Sequence, residues 1–218
     1  MNLHLSEYFE VLSLVFAIIF YRQLRFFKLK PFLLLLIIVC ATEIIGANVQ
    51  WFNVKKNYLI YNVYLLLSMP VYFWIFMNML DFKGYIKTIY LIVVTLVMCF
   101  LAINFLFLQG PKEFNVYSLI MVEFIKGILA LMIITKLFRE DNYEIGISKN
   151  PYFWIGGATL IFSVCAIVLF GLQRFIVLNK IQIEGKSIYR VIVPLINVIL
   201  YSSYCYAFYL CKKLTSNL

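Results

Sequence analysis

Seven apolar runs follow one another along the chain with little sequence between them, at about 6–24, 31–50, 58–80, 85–108, 115–138, 151–174 and 189–211. A helix rises about 1.5 Å per residue, so roughly 20 apolar residues cross a hydrocarbon core of about 30 Å. Within lipid the backbone must satisfy its own hydrogen bonds, and a helix does so inside one segment. The runs therefore predict an all-α fold. It is a polytopic membrane protein whose residues 1–218 form a single seven-transmembrane-helix bundle. Pro31 and Pro151 stand at run starts, where a missing N–H costs little. The first run is the least regular, with Glu7 and Glu10 near its start. Residues 1–10 hold no Lys or Arg, so this run is read as a retained membrane helix, not a signal peptide.

Composition removes the competing classes. Hydrophobic residues are 64% of the 218, and charged residues 13%, against roughly 45–50% and 25% in soluble chains. Mean hydropathy is +0.94. A soluble domain of this size has no means of hiding so much apolar surface from water. A soluble enzyme, a disordered tail and a disulfide-stapled secreted domain are thereby excluded. The longest linkers, 139–150 and 175–188, are too short to form a domain, so any soluble effector would be a partner protein.

The net charge of +9 would raise nucleic acid as a partner in a soluble chain. Here no basic stretch is long enough to track phosphates, and nucleic-acid binding is not expected. Lys and Arg in membrane proteins gather in cytoplasmic loops and meet anionic head groups. With the N-terminus outside, the cytoplasmic side carries Arg22, Arg25, Lys28, Lys30, Lys83, Lys87, Lys136, Arg139, Lys149, Lys212 and Lys213. The outer side carries Lys55, Lys56, Lys112, Arg174, Lys180, Lys186 and Arg190, and Lys126 lies within a run. The bias predicts an outside N-terminus and a cytoplasmic C-terminus. The five cysteines show no C-x-x-C spacing and His4 is the lone histidine, so neither a metal site nor a cofactor is expected.

Ionisable groups inside a bilayer cost about 2.5–3.5 kcal/mol each on insertion scales and mark functional positions by default. Three stand out: Glu43, Glu123 and Lys126. Counted from the run ends, Glu43, Glu123 and Asn197 each fall about 12 Å from the outer face, and Lys126 about 16 Å. Helical spacing gathers further polar groups into stripes. Tyr61, Tyr64, Ser68 and Tyr72 share one face, and Arg190, Asn197, Tyr201 and Tyr204 another. Glu43 shares its face with Gly46, Ala47 and Gln50. Such stripes turn inward, because lipid offers no hydrogen-bond partner. The expectation is an outward-opening pocket lined by Glu43, Glu123, Lys126, Asn197, Tyr61, Tyr64, Ser68, Tyr201 and Arg190. The competing expectation is a set of helix locks, with Asn and Tyr as interhelical glue. The excess of acids over Lys126 leaves one carboxylate to be protonated, paired with Arg190, or open to a cation. Gly156, Thr159 and Ser163 make a small-residue face suited to close helix packing. No G-x-S-x-G elbow or P-loop occurs and no nucleophile is paired with either acid, so catalytic residues are not assigned.

Two stretches carry a family resemblance, ATEIIGANVQWFNVKKNYLIYNVYLLLSMPVYFWIF and NPYFWIGGATLIFSVCAIVLF. With Glu43, the Asn62–Tyr64 region and Pro151–Trp154, they resemble a family of bacterial seven-helix integral membrane proteins of about this length. That resemblance implies the same seven-helix fold, a bacterial cytoplasmic (inner) membrane and no defined reaction. Members of the family often carry a second acid early in the third helix, where this chain has Ser68 and Met69. Three functions are compatible with all this. One is a sensing or binding module for a small molecule or lipid, working with a membrane or signalling partner. The second is a proton-coupled transporter, with Pro70 and Pro194 inside corresponding runs. The third is a structural subunit of a membrane complex. A lipid-modifying enzyme ranks below these.

Overall fold

The computed structural model describes residues 5–49, 57–139, 146–183 and 185–216. His4, Gln50, Lys55 and Lys56, named above, lie outside the described residues. Nine α-helices account for nearly all of the described chain. They are α1 (Leu5–Ile19), α2 (Tyr21–Phe26), α3 (Pro31–Ala47), α4 (Tyr58–Leu80), α5 (Gly84–Ile103), α6 (Val116–Arg139), α7 (Pro151–Gly171), α8 (Gln173–Leu178) and α9 (Ile188–Thr215). The exception to an all-α fold is a two-stranded antiparallel ribbon, β1 (Gln182–Ile183) and β2 (Lys186–Ser187), within the linker before α9.

Every apolar run becomes helix, but two runs break. The first divides at Phe20, where α1 hands over to α2 while the backbone bonds Phe20 N–H to Phe16 O and Leu24 N–H to Phe20 O persist. The sixth divides at Leu172, between α7 and α8. The fourth run is α5 followed by a π-turn, Asn104–Leu108. Helices α4, α5 (with its π-turn), α6, α7 and α9 are long and apolar enough to cross a membrane. At 15 and 17 residues, α1 and α3 fall short of the roughly 20 that span a bilayer unaided.

Local chemistry fixes the ends. Asn150 caps α7 by accepting from the Tyr152 N–H at 2.9 Å, with Pro151 in the first turn. Helix α4 stops at Asp81, which takes the left-handed conformation at φ 52°. Lys136 of α6 donates to the last carbonyls of α4, Met79 O at 3.3 Å and Leu80 O at 3.1 Å. An ammonium suits that helix end, where unpaired carbonyls concentrate negative charge.

Six helices close into a ring. Helix α1 packs on α3, α3 on α4, α4 on α6, α6 on α7, α7 on α9, and α9 back on α1. Helix α5 stands outside it against α4, burying Tyr90, Val97 and Leu101, with the Tyr90 hydroxyl donating to Phe73 O at 2.8 Å. The ring's interior is filled by Phe32, Leu35, Leu36, Met69, Phe76, Tyr204 and Phe208. Phe32 meets Tyr204 and Phe208 edge-on at 5.0 and 5.5 Å. Helices α6 and α7 share the most extensive contact of any helix pair, and small residues line it: Gly127 faces Ser163, and Gly156 faces Ala130 and Ile133. This is the small-residue packing expected of Gly156 and Ser163.

Candidate functional site

The intramembrane charges expected from the sequence separate into two centres. The first is built on α6. Three residues apart on one face, Lys126 and Glu123 form an ion pair at 2.6 Å, and both side chains are buried. Helix α7 completes the carboxylate: Ser163 donates to its second oxygen at 3.0 Å. Helix α4 completes the cation, because the Lys126 ammonium lies 4.4 Å from the centre of the Tyr72 ring, with Phe162 of α7 at 5.4 Å. Aromatic faces stabilise a desolvated ammonium through their quadrupole. Nearby, Thr159 and Tyr204 share a hydrogen bond at 3.2 Å. Every charge in this centre has an opposite charge or a polar partner, so it joins three helices without needing a ligand.

The second centre is acidic and lies toward the α4 N-terminus. Tyr61 of α4 donates to Glu43 of α3 at 3.0 Å. Gly46 makes room for that tyrosine, since a Cβ there would sit 3.2 Å from its hydroxyl. Helix α1 contributes Glu10, only 3% exposed, whose carboxylate receives a long 3.5 Å bond from Asn197 of α9. Glu7, Glu10 and Glu43 lie near enough to feel one another's charge. Among the described residues, the ion pairs are Lys28–Asp81, Lys83–Asp81 and Lys126–Glu123, and none reaches Glu10 or Glu43.

Glu10 was not among the expected site residues, although its signal is present. The buried face of α1 is Ser6, Glu10, Ser13 and Ala17, a polar and small stripe at helical spacing. The two centres also differ in depth, where the sequence alone suggested a shared level. Their α4 contacts, Tyr61 and Tyr72, are eleven residues apart, about 16 Å along the helix. Tyrosines occupy the interval. Tyr64 lies within electrostatic reach of both Glu123 and Glu43, and beside Ser68. Tyr201 meets Tyr204 edge-on at 5.9 Å and feels both Glu10 and Glu43. Ser68 and Tyr201 are buried, Tyr61 and Tyr64 half-buried. Arg190, near the start of α9, is exposed and pairs with neither acid among the described residues.

At the opposite end of α4 the polar contacts are of a stitching kind. Lys28 meets Asp81 at 2.8 Å, Asn78 donates to Lys28 O, and Tyr152 donates to Phe27 O at 2.7 Å. The Lys28 and Lys83 ammonium groups hold the Asp81 carboxyl below its ordinary range.

Among the described residues, no three His, Cys, Asp or Glu side chains gather as a metal site. All five cysteines are free thiols. No protein-family model, curated protein or solved structure matches the chain.

Proposed function

We propose that this chain is a seven-crossing membrane protein with its N-terminus outside, and that it senses or binds a small ligand at the acidic centre of Glu10, Glu43, Tyr61 and Asn197. In this reading α1 with α2 makes the first crossing and α3 the second, completing the five longer helices. The bacterial cytoplasmic membrane, a kinship with bacterial seven-helix proteins and a partner that receives the signal belong to the same proposal. The observation that carries it is the buried Glu10 carboxylate, near Glu43, with an amide and no cation against it among the described residues. Two carboxylates so placed repel each other until a proton or a cation joins them. The favoured ligand is therefore a proton or a small cationic molecule.

The test is thermal unfolding of detergent-purified protein from pH 5 to pH 8, with and without a panel of small organic amines. Wild type is compared with Glu10→Gln and Glu43→Gln. The proposal expects folded variants and a wild type stabilised by acid or by an amine, with that response lost in the variants. Variants that unfold readily, beside a wild type indifferent to pH and amines, would make the acids structural.

Proton-coupled transport is the second reading. It is favoured by Pro70 inside α4 and Pro194 inside α9, two ring helices that also carry residues of both centres. Proline interrupts the helical hydrogen-bond ladder, as in the broken helices of transporters. Proton flux through liposomes that requires Glu10 and Glu43 would select this reading over sensing.

A further inference from the structure

The geometry points to a latched aromatic gate across the end of the ring where α4 and α9 begin, with Phe114 as its plug and Asn62 as its latch. Phe114 lies just before α6 and is half-buried. Its ring stands 6.2 Å from Tyr58 of α4 and 5.8 Å from Phe170 of α7, and Phe170 stands 5.7 Å from Tyr189 of α9. These are ordinary separations for interacting aromatic pairs. One row of four rings thus joins α4, α7 and α9 beside the start of α6. Immediately before the plug, Lys112 and Glu113 are exposed. Beyond it, from about 10 Å along α6, Glu123 and Lys126 are buried. The row separates these two levels, and an apolar constriction of this kind excludes water and ions.

The latch is a single side chain. Asn62 donates from Nδ2 to Glu113 O at 2.7 Å, and its Oδ1 accepts from the Asn115 N–H at 3.0 Å. One amide, only 1% exposed, therefore grips the chain on both sides of Phe114. The other end of the segment is held less fully. Gln109 accepts from Asn104 Nδ2 at 3.0 Å and from the Tyr117 N–H at 3.2 Å. Yet the Oδ1 of Asn104, a fully buried residue, has no hydrogen-bond partner among the described residues. A buried acceptor left in that state costs stability that contact with water restores. Opening the segment therefore regains part of what closing it forgoes. Gly110, at φ 76°, supplies the turn between the two ends. The gate controls the passage of water and small ions to Glu123 and Lys126, whatever ligand the acidic centre takes.

Thiol labelling of the full chain in detergent tests this directly. Val122→Cys places a reporter at a buried position one turn before Lys126. It falls within the tryptic peptide 113–126, which holds no native cysteine. The probe is a small cationic methanethiosulfonate, and labelling is read by peptide mass spectrometry. With Phe114 and Asn62 in place, the reporter should label far more slowly than in the unfolded chain. Adding Asn62→Ala should raise the rate about ten-fold, the weight of two lost hydrogen bonds. Phe114→Ala should raise it at least as much. Phe107→Ala, at an exposed aromatic of the same end outside the row, should change nothing. Cys211, fully buried near the other end of α9, should stay protected in every variant. A reporter that labels in its parent as fast as in denaturant would overturn the gate. So would one that stays protected in Asn62→Ala and Phe114→Ala, or one that Phe107→Ala exposes equally. Labelling that spreads to Cys211 would make Phe114 part of the general packing and overturn a separable plug.

Discussion

The Glu123–Lys126 centre and the Glu10–Glu43 centre use similar residues to opposite ends. In the first, acid and base stand three residues apart on α6, with Ser163 donating to the carboxylate and the Tyr72 ring facing the ammonium. In the second, the acids come from two different helices, and what meets them is a phenol and an amide. Desolvating a charge costs several kcal/mol unless it is paired. The first centre meets that requirement within itself, whereas the second meets it only in part. A satisfied buried pair resists change, and an under-compensated one responds to protons and cations.

The largest effect should come from breaking the closed centre. Lys126→Met leaves Glu123 buried without its cation and should cost about 3–5 kcal/mol in thermal unfolding. Adding Glu123→Gln to that variant should recover much of the loss, since an uncharged pair needs no counter-ion. A smaller loss should follow from pushing α6 and α7 apart. Gly156→Leu intrudes on Ala130 and Ile133 and should cost about 1–3 kcal/mol as overpacking. Smaller again is Tyr61→Phe, which removes the hydroxyl that donates to Glu43 and should cost about 1 kcal/mol. Its sharper consequence should be an altered acid response of the melting temperature, because Glu43 loses its donor.

The smallest effect is at the surface. Asp81 has its folded-state pKa lowered by Lys28 and Lys83. Its ionised form therefore contributes stability that is fully present above the ordinary aspartate range of about 3.9. That contribution is lost as pH falls through the lowered value. Asp81→Asn should thus melt slightly below wild type at neutral pH, with the gap closing in acid. A gap that widens in acid would contradict the assigned direction.

Much of the architecture is legible in the sequence, because apolar runs and helices in lipid obey one length rule. Helix α4 occupies 58–80 as read, and α6 and α9 agree to within a few residues. The short helices α2 and α8 beyond Phe20 and Leu172 are not legible, since Arg22 and Gln23 follow the first break, and Gly171 precedes and Gln173 and Arg174 follow the second, which reads as the end of an apolar run and not as a further helix. At the site, the Glu123–Lys126 pair is legible because helical spacing alone puts both on one face. The Glu43–Tyr61 contact depends on how α3 and α4 register against each other, which spacing within either helix does not fix. Glu10 looked like a flaw in a membrane helix. Its neighbours Ser6, Ser13 and Ala17 become a coherent face only once α1 is known to close the ring between α3 and α9.

The claim that one centre locks the bundle and the other responds is tested most directly by one experiment. Melting temperatures of wild type, Lys126→Met and Glu43→Gln are measured in parallel from pH 5 to pH 8. Lys126→Met should be strongly destabilised at every pH, while Glu43→Gln should stay folded and lose the wild-type dependence on pH. A Glu43→Gln variant as unstable as Lys126→Met, or one that keeps the full pH dependence, would contradict it.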